Sequence, residues 1–416
     1  MRNSRVRFGL MVAVLAAAAL AGEALSVDLG MTGAVKGEGK KLTPPASAKT
    51  ASAAPKALAP TAPVDPATQG IPPRPRIIST VAGSASGFYG DGMSATVAEF
   101  GQPVAVALDA SGNLYIGDHN NRRVRKVDAA TGLVSTVAGT GVAGYNGDGI
   151  PATSARLAAA YGVALDASGN LYIADRENNR IRKVRAATGL ISTFASGGTI
   201  YDSISGIDGI AATSAGIGWP ESVALDTSGN LYFGTMNKVY KVDAGTGLIY
   251  TVAGSATKWG YNGDGIPATS AELNDAAGIA LDSSGNIYIA DYLNNRIRKV
   301  DAGTGLISTV AGTGVAGYNG DGIPATSAQL SGTDGIALDS SGNLYISDPG
   351  NSRIRKVNAG TGLISTVAGT GVNGCNGDGL PATSAQIYGP YGIALDSSGN
   401  LYLVDRGNSR IRKVSP

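Results

Sequence analysis

Residues Gly162 to Asp175 read Gly-Val-Ala-Leu-Asp-Ala-Ser-Gly-Asn-Leu-Tyr-Ile-Ala-Asp, and this stretch decides the fold. Two short apolar runs flank an Ala-Ser-Gly-Asn turn, a pattern typical of a β-hairpin. The stretch recurs six times, 56 to 60 residues apart, with its central aspartate at Asp109, Asp166, Asp226, Asp282, Asp339 and Asp396. One repeated structural unit therefore accounts for most of the 416-residue chain.

Each unit carries four short segments rich in Val, Ile, Leu and Tyr, separated by turn residues. In the second unit these segments are 162–166, 171–175, 180–184 and 191–195. Radial repetition of such units hides the sheet edges that an open array would expose. The sequence therefore predicts an all-β, six-bladed β-propeller with four-stranded antiparallel blades.

The two ends of the repeat region indicate how the ring closes. The last unit stops after its third strand, 410–414, while residues 77–83 are a lone copy of the fourth-strand sequence. We expect the N-terminal strand to complete the last blade. A solenoid is the competing repeat architecture, but it has no use for this permutation and needs polar end caps that the sequence lacks.

Three segments divide the chain by composition. Residues 1–26 have a basic start and an apolar run of about 14 residues, which predicts a cleaved signal peptide and no stable membrane span in the mature chain. Residues 27–76 hold nine of the 18 prolines and predict a disordered Pro/Ala-rich linker. Residues 77–416 form the predicted propeller. We therefore expect a secreted or periplasmic protein.

Charge and rare residues exclude several functions. Residues 77–416 carry 23 basic and 27 acidic side chains, so no basic field favours nucleic acid as a partner. The single histidine, His119, excludes zinc sites that need two or more histidines from one chain. The single cysteine, Cys375, excludes an internal disulfide.

The longer unit Gly-Val-Ala-Leu-Asp-x-Ser-Gly-Asn-Leu-Tyr-Ile-Ala-Asp-x-x-Asn-Asn-Arg-Ile-Arg-Lys-Val resembles the NHL repeat, in the form found in exported bacterial proteins. The resemblance covers residues 77–416 and implies a six-bladed propeller that acts as a binding platform. A few relatives of this shape are enzymes. This chain departs from the usual unit by a long loop before each inner strand, for example 139–157.

Residues that repeat in nearly every blade serve needs common to all blades. Asp109 and its equivalents precede Ser-Gly-Asn turns, so we expect their carboxylates to accept backbone N–H groups. Calcium binding is the alternative for these carboxylates. An aspartate that ends the second strand and an arginine five residues later, such as Asp175 and Arg180, are expected to form an ion pair.

Residues that differ among the blades are the candidates for function, since the loops entering the inner strands and joining the second and third strands share one face of a propeller. These loops place aromatic and charged side chains around the mouth of the central channel, where they suit a ligand. The candidate ligand-binding residues are Tyr161, Trp219, Glu221, Asn274, Asp275, Asp334, Tyr388, Tyr391, His119, Arg176 and Arg406. Unselected drift of exposed loops is the alternative explanation.

The third blade departs most from the repeat. Its loop between the second and third strands is shortened to 235–238, and Tyr240 replaces an arginine. Trp219 and Glu221 enter the channel mouth from the same blade. Local departures from a uniform design mark functional or decaying sites, so we expect a ligand site to lie off-centre, toward the third blade.

These patterns predict a non-catalytic binding module with no cofactor, whose partner is a protein, a peptide or a glycan. The alternative is an enzyme: six-bladed lactonases and esterases of the gluconolactonase and paraoxonase type hold calcium at the channel. The resemblance implies that Glu221, Asn274, Asp275 and Asp334 would be the oxygen ligands here. No residue has an evident role as a general base.

Overall fold

The computed structural model describes residues 75–201, 206–255 and 258–416. The predicted signal peptide at 1–26 and almost all of the predicted linker at 27–76 lie outside these residues, and both stay predictions. Within the described ranges no helix has the length and apolar character needed to cross a membrane.

Six antiparallel sheets form the blades, and each begins at an inner strand and ends at an outer one. Their strands, in order from inner to outer, are β2 (Ala105–Leu108), β3 (Leu114–Asp118), β4 (Arg123–Val127) and β5 (Val134–Ala138) in blade one; β7 (Ala160–Leu165), β8 (Leu171–Asp175), β9 (Arg180–Val184) and β10 (Leu190–Ser196) in blade two; β14 (Ser222–Leu225), β15 (Leu231–Gly234), β16 (Val239–Val242) and β17 (Leu248–Ala253) in blade three; β19 (Ala276–Leu281), β20 (Ile287–Asp291), β21 (Arg296–Val300) and β22 (Leu306–Ala311) in blade four; β24 (Ile336–Leu338), β25 (Leu344–Asp348), β26 (Arg353–Val357) and β27 (Leu363–Ala368) in blade five; and β28 (Pro390–Leu395), β29 (Leu401–Asp405), β30 (Arg410–Ser415) and β1 (Ile77–Ala82) in blade six. The predicted six-bladed propeller is confirmed.

The long loops add short segments. Blades two to five gain a two-residue fifth strand on the outer edge: β6 (Ile150–Pro151), β12 (Ile210–Ala211), β18 (Ile266–Pro267) and β23 (Ile323–Pro324). Proline suits such an edge because it donates no ladder hydrogen bond. A separate parallel pair joins β11 (Ile200–Tyr201) to β13 (Ala215–Gly216). Single 3-10 turns lie at Ala95–Val97, Ala152–Ser154, Arg176–Asn178, Ala212–Ser214, Ala268–Ser270, Tyr292–Asn294, Ala325–Ser327, Pro349–Asn351, Ala382–Ser384 and Arg406–Asn408.

The ring closes through blade six. Strand β1 pairs antiparallel with β30, from Ile77 opposite Ser415 to Ala82 opposite Ile411. Each inner strand contacts the inner strands of both neighbouring blades, and β2 contacts β28 across the closure. The predicted completion of the last blade by the N-terminal strand is therefore confirmed.

The core lies between the blades, not within them. Six buried clusters each combine side chains from two adjacent blades; Ile78, for example, packs with Tyr345 of blade five and with Leu403 of blade six. An isolated blade cannot bury its faces, so the stability of each sheet depends on its neighbours.

The aspartates of the Ser-Gly-Asn turns have the structural role that the sequence predicts. The Asp166 carboxylate accepts the N–H groups of Ser168 and Asn170 at 3.0 and 2.9 Å. Its second oxygen accepts the Asn170 side-chain amide at 2.8 Å and the Tyr172 hydroxyl at 3.2 Å. All the hydrogen-bonding partners of this carboxylate are therefore groups of its own hairpin.

The predicted ion pair between Asp175 and Arg180 is wrong, although the two residues face each other in the ladder. Arg182 takes the role of Arg180: it is fully buried and lies 3.9 Å from Asp175 and 2.9 Å from Asp148 of the preceding loop. Arg180 instead lies 4.1 Å from the centre of the Tyr145 ring. The same Asp–Arg–Asp chain, with a buried arginine, a buried inner aspartate and an exposed outer one, recurs in blades one, four, five and six, with Arg125, Arg298, Arg355 and Arg412.

Blade three replaces this chain with other contacts. Tyr240 stands at the position of the buried arginine and packs against Phe233, with ring centres 5.3 Å apart. Thr235 stands at the position of the inner aspartate, and its hydroxyl donates to the Lys238 carbonyl at 3.1 Å. Asp208 remains at the position of the outer aspartate and accepts the Thr251 N–H at 2.7 Å. The third blade thus keeps its fold with an aromatic pair in place of an ion pair.

Candidate functional site

The inner strands surround a central cavity of about 100 Å³. Each blade contributes one side chain from the start of its inner strand, and these six residues are Val104, Tyr161, Glu221, Ala277, Asp334 and Tyr391. All six occupy the same repeat position, and the sequence differs there in nearly every blade. The structure brings them together around one opening, which we call the channel mouth; their part in binding stays a prediction.

In five of the six blades the loop position two residues before these side chains has a positive φ angle. Gln102, Trp219 and Asp275 have φ angles of 49°, 52° and 69°, in the left-handed region that disfavours residues with a Cβ atom. Glycines take the same position in blades five and six, at Gly332 and Gly389. Strained backbone of this kind clusters at functional sites. Three large polar or aromatic side chains are therefore held at the mouth where glycine would be easier to accommodate.

This strain gives a testable prediction. We expect Gln102→Gly to raise the free energy of unfolding by about 0.5–1 kcal/mol, because relief of the left-handed strain exceeds the entropy cost of glycine. Ala159 occupies the equivalent position in blade two without a positive φ, so Ala159→Gly should lower it by a similar amount. Urea denaturation measures both variants, and a loss of stability in both would contradict the assignment of strain.

An ion pair joins blades two and three at the mouth. Arg176, directly after β8, donates from Nε and Nη2 to one Glu221 oxygen at 2.8 and 2.7 Å. Its guanidinium lies 4.8 Å from the Tyr161 ring centre and 5.0 Å from that of Trp219. Glu221 is 7% exposed, whereas Trp219 is 45% exposed. Trp219 therefore offers an aromatic face to solvent beside a buried, paired carboxylate.

Two further carboxyl groups lie beside Glu221. Burial and the Glu221 charge raise the pKa of Asp275 well above its usual range. The same two causes raise the pKa of Asp334 to about 7. The Asp275 Oδ1 atom is buried and, within the described part of the chain, has no hydrogen-bonding partner. Three carboxyl groups therefore lie close together on this side of the mouth, although their negative charges repel one another.

Basic side chains gather on the opposite side. Arg406 lies 4.4 Å from the Tyr391 ring centre and donates to the Gln102 side chain at 3.3 Å. His119 meets the Tyr161 ring edge-on at 4.8 Å. Burial and the charges of three arginines, Arg406, Arg176 and Arg122, lower the pKa of His119 to about 4. His119 is therefore neutral at physiological pH.

Four of the eleven sequence-predicted residues line the central cavity itself, and the other seven do not. Tyr388 is 47% exposed and lines a separate cleft of about 230 Å³ with Gln102, Tyr391 and Arg406. Asn274 does not line either opening; its backbone N–H donates to Asp291 at 2.8 Å. The structure thus extends the mouth toward blade six through Tyr388 and leaves Asn274 outside it.

Sequence reasoning missed Ser222. It lines the cavity at a position held by glycine in blades two, four, five and six, and its buried Oγ atom has no partner among the described residues. Those glycines touch the backbone of the next blade: a Cβ on Gly278 would lie 2.1 Å from the Asp334 carbonyl. A serine in a slot reserved for glycine was the available signal.

The four residues named for a calcium ion are not gathered around one point within the described part of the chain. The Nε and Nη2 atoms of Arg176 both donate to Oε1 of Glu221, and Asn274 is not a lining residue of the cavity. Among the described residues no three Asp, Glu, His or Cys side chains converge at metal-binding distance. A calcium ion takes six to eight oxygen ligands, whereas one Glu221 oxygen here is already bound by a guanidinium.

Several known proteins are similar to this chain. Over 284 residues it is 28% identical to SUPPRESSOR OF QUENCHING 1 of Arabidopsis thaliana, an alignment that covers 65% of this chain and 26% of the relative. Over 347 residues it is 28% identical to mouse Teneurin-3, covering 75% of this chain and 12% of the relative. The chain thus spans about a quarter or less of the length of these relatives.

Solved structures share the fold. A protein of unknown function from Bacteroides thetaiotaomicron superposes with a TM-score of 0.61 at 21% identity, covering 82% of this chain and 76% of that one. An auxiliary nutrient binding protein from the same organism gives a TM-score of 0.58 at 19% identity, with the same coverage. At these identities the likeness shows the fold alone.

Two family models match segments of the propeller. The NHL repeat model matches residues 388–414, in the closing blade. The model of the SMP-30/Gluconolactonase/LRE-like region matches residues 105–373, well over half of the chain. Together with the six closed blades, this match shows that the chain belongs to the SMP-30/Gluconolactonase/LRE-like family, as a six-bladed propeller with NHL repeats.

Proposed function

We propose that this protein is an extracytoplasmic, non-catalytic binding module that presents its channel mouth to a protein, peptide or glycan ligand. One observation carries the proposal: the side chains that differ among the blades converge on one opening. The repeated polar side chains, by contrast, are used within the scaffold, as in the Asp166 turn and the Asp175–Arg182 pair.

The chemistry of the mouth supports ligand binding. Exposed aromatic faces at Trp219 and Tyr388 suit stacking on a sugar ring or on an apolar side chain. Arg406 and Asp334 lie nearby with charges that fix the orientation of a polar ligand. Ligand sites combine apolar walls with a few polar groups in this way.

The proposed place of action is outside the cytoplasm, in the periplasm or secreted. The signal-like residues 1–26 support this location. A binding role is also the one that the name of the auxiliary nutrient binding protein states for a protein of the same fold.

A thermal-shift screen of the full chain against oligosaccharides, lactones and dipeptides tests the proposal. We expect at least one class to raise the melting temperature, since a ligand at 100 times its Kd adds about 2.7 kcal/mol of stability. Trp219→Ala should abolish the shift. Trp259 is also exposed, but it pairs with Leu273 in the long loop before the inner strand of blade four, so Trp259→Ala should keep the shift. A shift that survives Trp219→Ala unchanged would contradict the proposal.

A second candidate is a lactonase- or esterase-like hydrolase, favoured by the family match over residues 105–373. Calorimetric titration of the full chain with calcium separates the two functions. Because the donor set does not suit a hard cation, we expect no binding heat. One calcium per chain, lost in Glu221→Ala and in Asp334→Ala together with lactone hydrolysis, would replace the binding module with the hydrolase.

A further inference from the structure

Two groups of opposite charge divide the channel mouth, and they come from opposite halves of the ring. The basic arc consists of the first residues of the loops between the second and third strands in blades six, one and two: Arg406, His119 and Arg176. The acidic arc consists of residues just before the inner strands of blades three, four and five: Glu221 and Asp334, which line the cavity, and Asp275, which lies close enough for the Glu221 charge to shift its pKa. One half of the mouth therefore carries the two arginines and His119, and the other half carries the carboxyl groups.

One internal ion pair neutralises only part of each arc. Arg176 and Glu221 bind each other at one of the two junctions of the arcs, between blades two and three. Arg406 forms no ion pair within the described ranges, and neither do Asp275 and Asp334. A cationic group and two carboxyl groups thus face the opening without partners of opposite charge.

Both arcs also contain buried polar atoms that lack a hydrogen-bonding partner in the described chain. The basic arc has Nε of Arg406 and Nδ1 of His119; the acidic side has Oδ1 of Asp275 and Oγ of Ser222. Burial without a hydrogen-bonding partner destabilises each such atom. Four of them around one opening point to a ligand with polar groups at both ends.

The shifted pKa values of His119 and Asp334 agree with this arrangement. On the basic side, burial and three arginine charges lower the pKa of His119, so this region favours an anion. On the acidic side, burial and the Glu221 charge raise the pKa of Asp334, so this region favours a cation. One ligand carrying both charges relieves both repulsions.

We propose that the ligand of the channel mouth is a zwitterion, an amino acid or short peptide whose carboxylate binds the basic arc and whose ammonium group binds the acidic arc. This inference rests on the proposed binding function and narrows its ligand class. The central cavity of about 100 Å³ has room for the ammonium end and not for a whole peptide, so the rest of the ligand lies across the exposed faces of the mouth.

Matched probes test the two charges separately. A mixed dipeptide library, its N-acetylated form and its C-amidated form differ only in their end charges, and saturation-transfer NMR with the full chain reports the binding of each. We expect the free dipeptides to bind at least ten-fold more tightly than either blocked form. Equal binding of all three forms, or of none, would overturn the inference. A parallel set of free amino acids identifies the source of the zwitterion by its relative affinity.

Charge-removing variants assign each end to its arc. Arg406→Gln removes a charge that would bind the carboxylate, so it should abolish the preference for free over C-amidated dipeptides. Asp334→Asn removes a charge that would bind the ammonium group, so it should abolish the preference for free over N-acetylated dipeptides. Arg185→Gln and Asp301→Asn each remove a charge in a turn between the third and fourth strands, away from the mouth, and should keep both preferences. If oligosaccharides or lactones bind at the mouth while no dipeptide does, the zwitterion fails and the binding module stands. If nothing in the whole panel binds, both fail.

Discussion

Replacing Arg298 with methionine is expected to lower the free energy of unfolding by about 3–5 kcal/mol. Arg298 is fully buried between two aspartates, at 3.0 Å from Asp264 and 3.6 Å from Asp291. Asp291 is itself fully buried, so the loss of the guanidinium leaves it without a compensating charge. Lys299→Met, at a half-buried neighbouring position, should change the free energy by less than about 1 kcal/mol.

The sequence of blade three suggests a second substitution that should compensate for the loss of Arg298. It carries Thr235 and Tyr240 where blade four has Asp291 and Arg298. The double variant Asp291→Thr, Arg298→Tyr should therefore be more stable than the single variant Arg298→Tyr, with a coupling energy of about 1–3 kcal/mol between the two sites. Urea denaturation measures the cycle. Additive effects would show that the buried charges act independently, and would contradict a compensating role for the guanidinium.

Deletion of residues 77–82 is expected to have the second large effect, a fall of more than about 10 °C in melting temperature. The deletion removes the outer strand of blade six, withdraws the fully buried Ile78 and Ala82 from the core, and exposes the edge of β30. Removing residues 60–65 from the predicted linker should leave the melting temperature unchanged.

A point substitution tests whether β1 is bound as firmly as a strand within a continuous blade. Ile78 and Ile364 occupy equivalent positions in outer strands, and both are fully buried. Ile78→Ala and Ile364→Ala should each cost about 2–5 kcal/mol. A much smaller cost for Ile78→Ala would mean that the ring is only weakly closed.

The repeats made the fold predictable, since six copies of one pattern repeat the same information about strands and turns. The lone fourth-strand sequence at 77–83 was enough to predict where the ring closes. The fifth strands escaped prediction because Ile150–Pro151 and its equivalents are too short to show a period. The predicted Asp175–Arg180 ion pair was wrong because two residues that face each other in a ladder need not have side chains in contact. Arg180 lies against Tyr145, and Arg182 lies beside Asp175 instead.

The candidate site was predictable in position but not in electrostatics. Comparison of the blades located Tyr161, Glu221 and Asp334 at one opening. It did not show that Arg176 would occupy Glu221, because that contact joins two blades and depends on side-chain conformation. Nor did it show the left-handed backbone at Trp219, although glycine at the same position in blades five and six was a sign of it.

Ligand binding at the channel mouth can be measured directly, because the chain has only two tryptophans. Trp259→Phe leaves Trp219 as the only indole reporter, and Trp219→Phe leaves Trp259. Titration of both full-length variants with the oligosaccharides, lactones and dipeptides should change the fluorescence of Trp219 alone, for at least one class. A change confined to Trp259, or none in either variant with any class, would contradict a binding site at the channel mouth.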